Sequence, residues 1–143
     1  MLIEARPAVD PELAALVAAQ QHEGGRAFAP DVDDAYLVAI VGGRAVACSA
    51  WRALPEDGVA EVKHLYVRPA FRGRGIARQL IVAIEEEALA EGRPVVRLGT
   101  GVSCPAAITL YQSSGYHQIP RFGSYAADPY GVCFEKRLAA LVQ

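Results

Sequence analysis

The tightest constraint on the fold lies between Val67 and Ala77, where an apolar strand gives way to a helix across Arg72-Gly73-Arg74-Gly75-Ile76-Ala77. Val59 to Val67 reads as a strand. From about Gly75 to Glu91 the period becomes helical, with Ile76, Ala77, Leu80, Ile81, Ile84 and Ala88 on one face. The first N–H groups of such a helix have no partner inside it, and its end carries about half a positive charge. Small residues there let an anion approach the backbone itself. Flanking arginines add attraction and, at short range, bidentate phosphate contacts. The junction therefore points to a small polyanion, although spacing alone also allows glycines that merely tighten a turn.

Rival phosphate loops fail on residue identity. A P-loop needs Gly-Lys followed by Ser or Thr, and neither Gly73 nor Gly75 precedes a lysine. A dinucleotide fingerprint needs Gly or Ala three residues after its second glycine, where this chain has Arg78.

Charge sharpens the reading. The chain has a formal net charge of -2, but Lys63, Arg68, Arg72, Arg74 and Arg78 fall in a stretch without a carboxylate. A local cationic patch on a mildly acidic protein suits a small polyanion better than a nucleic acid, which needs a wider basic face. A solvated charged loop would carry the same residues. The 143 residues, 52% hydrophobic and 21% charged, fit a single globular domain over 1–143. No apolar run is long enough to span a bilayer, and the opening Met-Leu-Ile-Glu-Ala-Arg lacks the pattern of a secretion signal. Cys48, Cys104 and Cys133 suggest neither a disulfide framework nor a zinc site, so a cytoplasmic location without metal is expected.

The remaining elements follow from periodicity and punctuation. Leu2 to Arg6 is a first strand. Asp10-Pro11-Glu12 opens a helix with Leu13, Leu16 and Val17 on its apolar stripe, and Gly24-Gly25 ends it. A loop over 26–34 follows. Tyr36 to Val41 and Ala45 to Ala53 are strands joined at Gly42-Gly43, a strong hairpin signal. Val95 to Gly99, a helix over Pro105 to Ser114, and strands at Tyr116 to Ile119 and Val132 to Leu138 complete the chain. The order β-α-β-β-β-α-β-α-β-β describes an α/β protein with one mixed sheet of about seven strands flanked by helices.

Val67-Arg68-Pro69-Ala70-Phe71-Arg72-Gly73-Arg74-Gly75-Ile76-Ala77 resembles the acetyl-CoA signature of the GNAT superfamily of N-acetyltransferases. Ala107-Ile108-Thr109-Leu110-Tyr111-Gln112-Ser113-Ser114-Gly115-Tyr116 is similar to that family's later helix. The element order fits the family throughout, while Cys104 stands where many members carry Asn. The resemblance implies a GNAT-like acyl-CoA N-acyltransferase fold with splayed fourth and fifth strands, acetyl-CoA as acyl donor and no metal.

It also implies roles. The N–H groups of Arg72, Gly73, Arg74, Gly75, Ile76 and Ala77 would bind the pyrophosphate, and the strand end Leu65, Tyr66 and Val67 would pair with the pantetheine arm. A bulge in the fourth strand would open the sheet there. The Leu65 N–H would polarise the thioester carbonyl, and Cys104 would supply a further cofactor contact. Tyr111 is the expected general acid and Glu61 the expected general base. Packing alone would also explain Tyr111, and Glu61 could be an exposed strand residue or a substrate anchor. Strand alternation groups Glu61 with Lys63 and Leu65 and sets His64 on the opposite face, with Tyr66. His22 and His117 look incidental.

The aromatic loop Ile119 to Tyr130 is expected to serve the acceptor, with Arg121 pairing an acidic group and Phe122 and Tyr125 shaping the pocket. A surface hairpin whose aromatics complete the core is the other reading. The expected activity is acetyl transfer to a small-molecule amine. A protein or peptide acetyltransferase and a non-catalytic acyl-CoA-binding module are the alternatives. A homodimer is an expectation by analogy alone.

Overall fold

The computed structural model describes residues 1–24 and 28–139. Seven strands form one sheet: β1 (Leu2–Arg6), β2 (Ala35–Val41), β3 (Arg44–Ala53), β4 (Val59–Val67), β5 (Val95–Gly101), β6 (His117–Ile119) and β7 (Gly131–Arg137). Their spatial order is β1-β2-β3-β4-β5-β7-β6. Three helices, α1 (Pro11–His22), α2 (Ile76–Ala90) and α3 (Pro105–Ser113), connect them, and short 3-10 turns occupy Pro69–Phe71 and Gly123–Tyr125. The chain divides into two compact units, one of residues 1–52 and 62–86, the other of 53–61 and 87–143.

In the first unit α1 starts as its sequence dictates. The Asp10 carboxylate accepts the Leu13 N–H at 2.9 Å, and Pro11 occupies the first turn. The helix stops at His22, with Glu23 as its cap and Gly24 at φ 94°. Gly25 and residues 26–27 of the expected loop lie outside the described residues. Leu13, Leu16 and Val17 pack on Tyr36, Val38, Cys48, Ala50 and Tyr66. The β2–β3 turn has Gly42 and Gly43 at φ 59° and 78°, the left-handed pair that a tight hairpin demands.

In the second unit β4 runs parallel to β5 through three pairs, Val59–Val95, Ala60–Val96 and Glu61–Arg97. The register ends there, as a splay of the fourth and fifth strands requires. On its other edge β5 pairs antiparallel with β7 from Val95 to Gly101, and β7 lies between β5 and the short edge strand β6. This pairing carries β5 two residues beyond its expected end at Gly99, because Gly101 aligns with Gly131. Val96, Leu98, Cys133 and Phe134 are fully buried in this part of the sheet.

Candidate active site

The Arg72–Ala77 turn is built by two glycines that hold left-handed backbone. Gly73 and Gly75 both have φ 79°, a conformation costly for any residue with a Cβ. A Cβ placed on either would meet nothing within 4 Å, so the turn is open above its backbone. Immediately after Gly75, α2 begins, and its first N–H groups point out of the helix. The donor set is therefore backbone amide at a positive helix end, which fits a diphosphate. Arg74 lies with its guanidinium 5.0 Å from the Phe71 ring centre.

Arg72 is engaged within the protein. Its Nε donates to the Val67 carbonyl at 2.8 Å, its Nη2 donates to Glu23 Oε1 at 2.8 Å, and its guanidinium lies 5.7 Å from the Tyr66 ring centre. The Tyr66 hydroxyl donates to the other Glu23 oxygen. The Tyr66 and Arg72 hydrogen bonds hold the Glu23 carboxyl below its usual pKa, while burial and Glu23 raise that of Tyr66. Sequence reasoning did not single out Glu23. One signal was present: an acid at a helix C-terminus opposes the helix dipole and so needs a cation from elsewhere.

The middle of β4 breaks its alternation at His64, which has φ 55°. A left-handed residue inside a strand changes which side the following residues present, so the parity that groups Glu61 and Lys63 with Leu65 does not carry past His64. The His64 ring stacks on Phe28 at 3.7 Å between centres and 6° between planes. Burial, and then the Lys63 charge, push its pKa down to about 4, so the imidazole is neutral at physiological pH. Nearby, buried Asp34 pairs with Arg52 at 2.5 Å and with Lys63 at 3.9 Å. Gln20 of α1 reaches the Leu65 carbonyl at 3.5 Å, and its own buried Oε1 has no hydrogen-bond partner.

In the second unit Tyr111, on α3, is 6% exposed and packs in tilted contact with Tyr116 and Phe134, at 6.4 and 6.0 Å between ring centres. Burial, and then the neighbouring Tyr125 and Cys104, push its pKa well above that of free tyrosine. At neutral pH its hydroxyl is therefore protonated. Cys104 is exposed at the N-terminus of α3, without a side-chain cap bond.

The acceptor-loop residues are partly engaged by their own fold. Arg121 Nη1 donates to the Asp128 carbonyl at 2.8 Å. The Tyr125 hydroxyl donates to the Gly99 carbonyl at 3.1 Å, and its ring covers Gly99 so closely that a Cβ there would lie 2.5 Å from Cε2. Phe122 is tilted against Tyr125 and lies under the Arg97 guanidinium, at 5.6 Å. Arg97 also pairs with Glu135 at 2.9 Å. The structure does bring Glu61, Arg121 and Phe122 to one buried thiol. Burial raises the Cys133 pKa, the Phe122 N–H bonded to it lowers it, and the Glu61 and Arg121 charges act on it with opposite signs. His22 and His117 are both exposed.

The Acetyltransferase (GNAT) family model matches residues 5–116. The chain belongs to the GNAT acetyltransferase family. An IAA acetyltransferase of Azospirillum brasilense is 39% identical over 109 residues, covering 76% of this chain and 70% of that protein. A solved structure from Klebsiella pneumoniae, described as an acyl-CoA N-acyltransferase, superposes with a TM-score of 0.85 at 32% identity, covering 96% of this chain and 97% of the other. A GNAT family acetyltransferase of Elizabethkingia anophelis with acetyl-CoA bound shares the fold, with a TM-score of 0.74 at 16% identity over 96% of this chain and 97% of that one. This GNAT chain is thus an enzyme of the acetyltransferase class. Among the described residues no helix is long and apolar enough to cross a membrane.

Proposed function

We propose that this GNAT enzyme transfers an acetyl group from acetyl-CoA to the primary amine of a small molecule, by direct attack while donor and acceptor are both bound. The observation that carries the donor half is the open turn at Gly73 and Gly75, both at φ 79°, leading directly into α2. The N–H groups of Arg72 to Ala77 hold the pyrophosphate. Leu65, Tyr66 and Val67 form the strand end that lines the pantetheine arm, and Cys104 adds a contact near the start of α3. Acetyl-CoA supplies an activated acyl group as its thioester.

The chain's own groups manage the charges. The Leu65 N–H polarises the thioester carbonyl. Tyr111 keeps its proton in its buried setting and offers it to the departing sulfur. Free thiol and phenol have pKa values of about 8.5 and 10, so the phenol stabilises the departing thiolate as a hydrogen-bond donor, and the proton released by the acceptor ammonium makes up the one the thiol takes. Glu61 accepts the proton of the acceptor ammonium, directly or through water. Arg121 faces an acidic group of the acceptor, and Phe122 and Tyr125 give the pocket its aromatic wall.

Thiol release from acetyl-CoA, measured over a panel of small amines, amino acids and peptides, tests this reading. Turnover with small amines supports it. Turnover only with peptides transfers the reading to a protein or peptide acetyltransferase, and CoA binding without release from any acceptor favours a binding module.

A further inference from the structure

Glu23 is the residue whose placement the proposed chemistry does not explain. It is a carboxylate at the C-terminal end of α1, where the helix dipole is unfavourable to it, and it sits beside a turn read as a site for a polyanion. Yet it is held by two donors, the Tyr66 hydroxyl and Arg72 Nη2. Arg72 in turn has its Nε on the Val67 carbonyl and its guanidinium beside the Tyr66 ring. Three of the directions in which this guanidinium could recognise a ligand are thus committed to the protein. Residues 68–72 form a tight turn, with the Phe71 N–H on the Arg68 carbonyl at 2.9 Å, and the Arg68 N–H ties its start to the Val46 carbonyl of β3 at 2.9 Å.

We infer that Glu23 is a positioning residue of the donor site: by clasping Arg72 and Tyr66 it fixes the turn after β4, so that the N–H groups following it converge on the pyrophosphate. The inference rests on the reading of that turn as the CoA site. It assigns Arg72 a role in shape, carried by its planar fork, and leaves direct phosphate attraction to the backbone and to the other cations of the segment. The two views differ in sign. If charge alone mattered, removing a carboxylate beside a polyanion site would tighten CoA binding. If the clasp shapes the turn, removing it weakens binding despite the more favourable charge.

Calorimetric titration of CoA and of ADP, which carries the diphosphate without pantetheine, distinguishes them. Glu23→Gln is expected to weaken both ligands about fivefold, a size within reach of one partly exposed charged clasp. Arg72→Lys keeps the charge but loses the fork, and is expected to weaken CoA to a similar degree. The double variant should bind no worse than the weaker single one, because both substitutions break the same clasp. The melting temperature of Glu23→Gln should stay within about 3 °C of the parent, as befits a surface pair. Equal or tighter CoA binding by Glu23→Gln, or fully additive effects, overturns the inference. Should Glu23→Gln fold poorly, Tyr66→Phe removes one bond of the clasp and is expected to weaken CoA about twofold; no weakening again overturns it. Failure of the parent protein to bind CoA at all would instead remove the donor-site reading itself.

Discussion

The turn at Arg72–Ala77 and the loop at Ile119–Tyr130 use side chains in opposite ways. In the turn, the Arg72 and Arg74 side chains lie against the protein, on Val67, Glu23 and Phe71, while space above Gly73 and Gly75 is open. On the proposed reading, recognition there falls to the backbone. In the loop, Tyr125 presses its ring on Gly99 and Gly131, and Arg121 closes on the Asp128 carbonyl. Its aromatic character serves the fold before it serves any ligand. A backbone site tolerates variation in side chains but not in φ, whereas a side-chain site does the reverse.

The largest expected effect separates chemistry from both regions. Tyr111→Phe removes a hydroxyl from a buried ring that packs on Tyr116 and Phe134. Steady-state kinetics should show turnover falling about a hundredfold, with CoA affinity and melting temperature nearly unchanged. An unaltered rate would return Tyr111 to a purely packing role.

Gly99→Ala tests whether the loop is held by its ring. A Cβ at 2.5 Å from Tyr125 must displace that ring, so thermal denaturation should register a loss of about 1–3 kcal/mol. A neutral result would mean that Tyr125 yields easily, which would favour a role as a pocket wall.

Gly75→Ala probes the turn in the same currency. No atom obstructs the new Cβ, so its cost is the left-handed backbone alone, about 1–2 kcal/mol. CoA affinity measured by calorimetry should fall as well. Unchanged affinity would mean that the turn need not keep its φ, and the contrast between the regions would fail.

The smallest effect concerns His64. Its folded-state pKa of about 4 lies below the ordinary histidine value, so the unfolded chain binds more protons between about pH 6.5 and 4. This contribution to stability is complete above the ordinary pKa and is lost as pH falls through that window. His64→Asn tolerates the positive φ and removes the titration. Melting curves at pH 7 and pH 4.5 should show a smaller acid loss in the variant than in the parent. Identical losses would show that the stack on Phe28 does not oppose protonation.

Much of the fold was legible because its signals are local. Asp10 and Pro11 start α1 from their own chemistry, Gly42-Gly43 specify their hairpin, and the apolar period of α2 announces its buried face. The open turn was readable for the same reason, since two glycines just before a helix set a left-handed turn within a few residues. The α1 cap was less clear: Gly24 adopts the expected positive φ, but the helix stops before it.

What the sequence by itself determined is the class: the element order, the glycine turn before α2 and a GNAT chain that the family match then showed. Tertiary structure alone decided that Glu23, 49 residues before Arg72, would clasp it, and that β7 would insert beside β5. It also decided that His64 would interrupt the parity of β4. The reason is range. Caps, turns and amphipathic periods are set by neighbours along the chain, whereas ion pairs and strand order depend on which distant segments burial brings together.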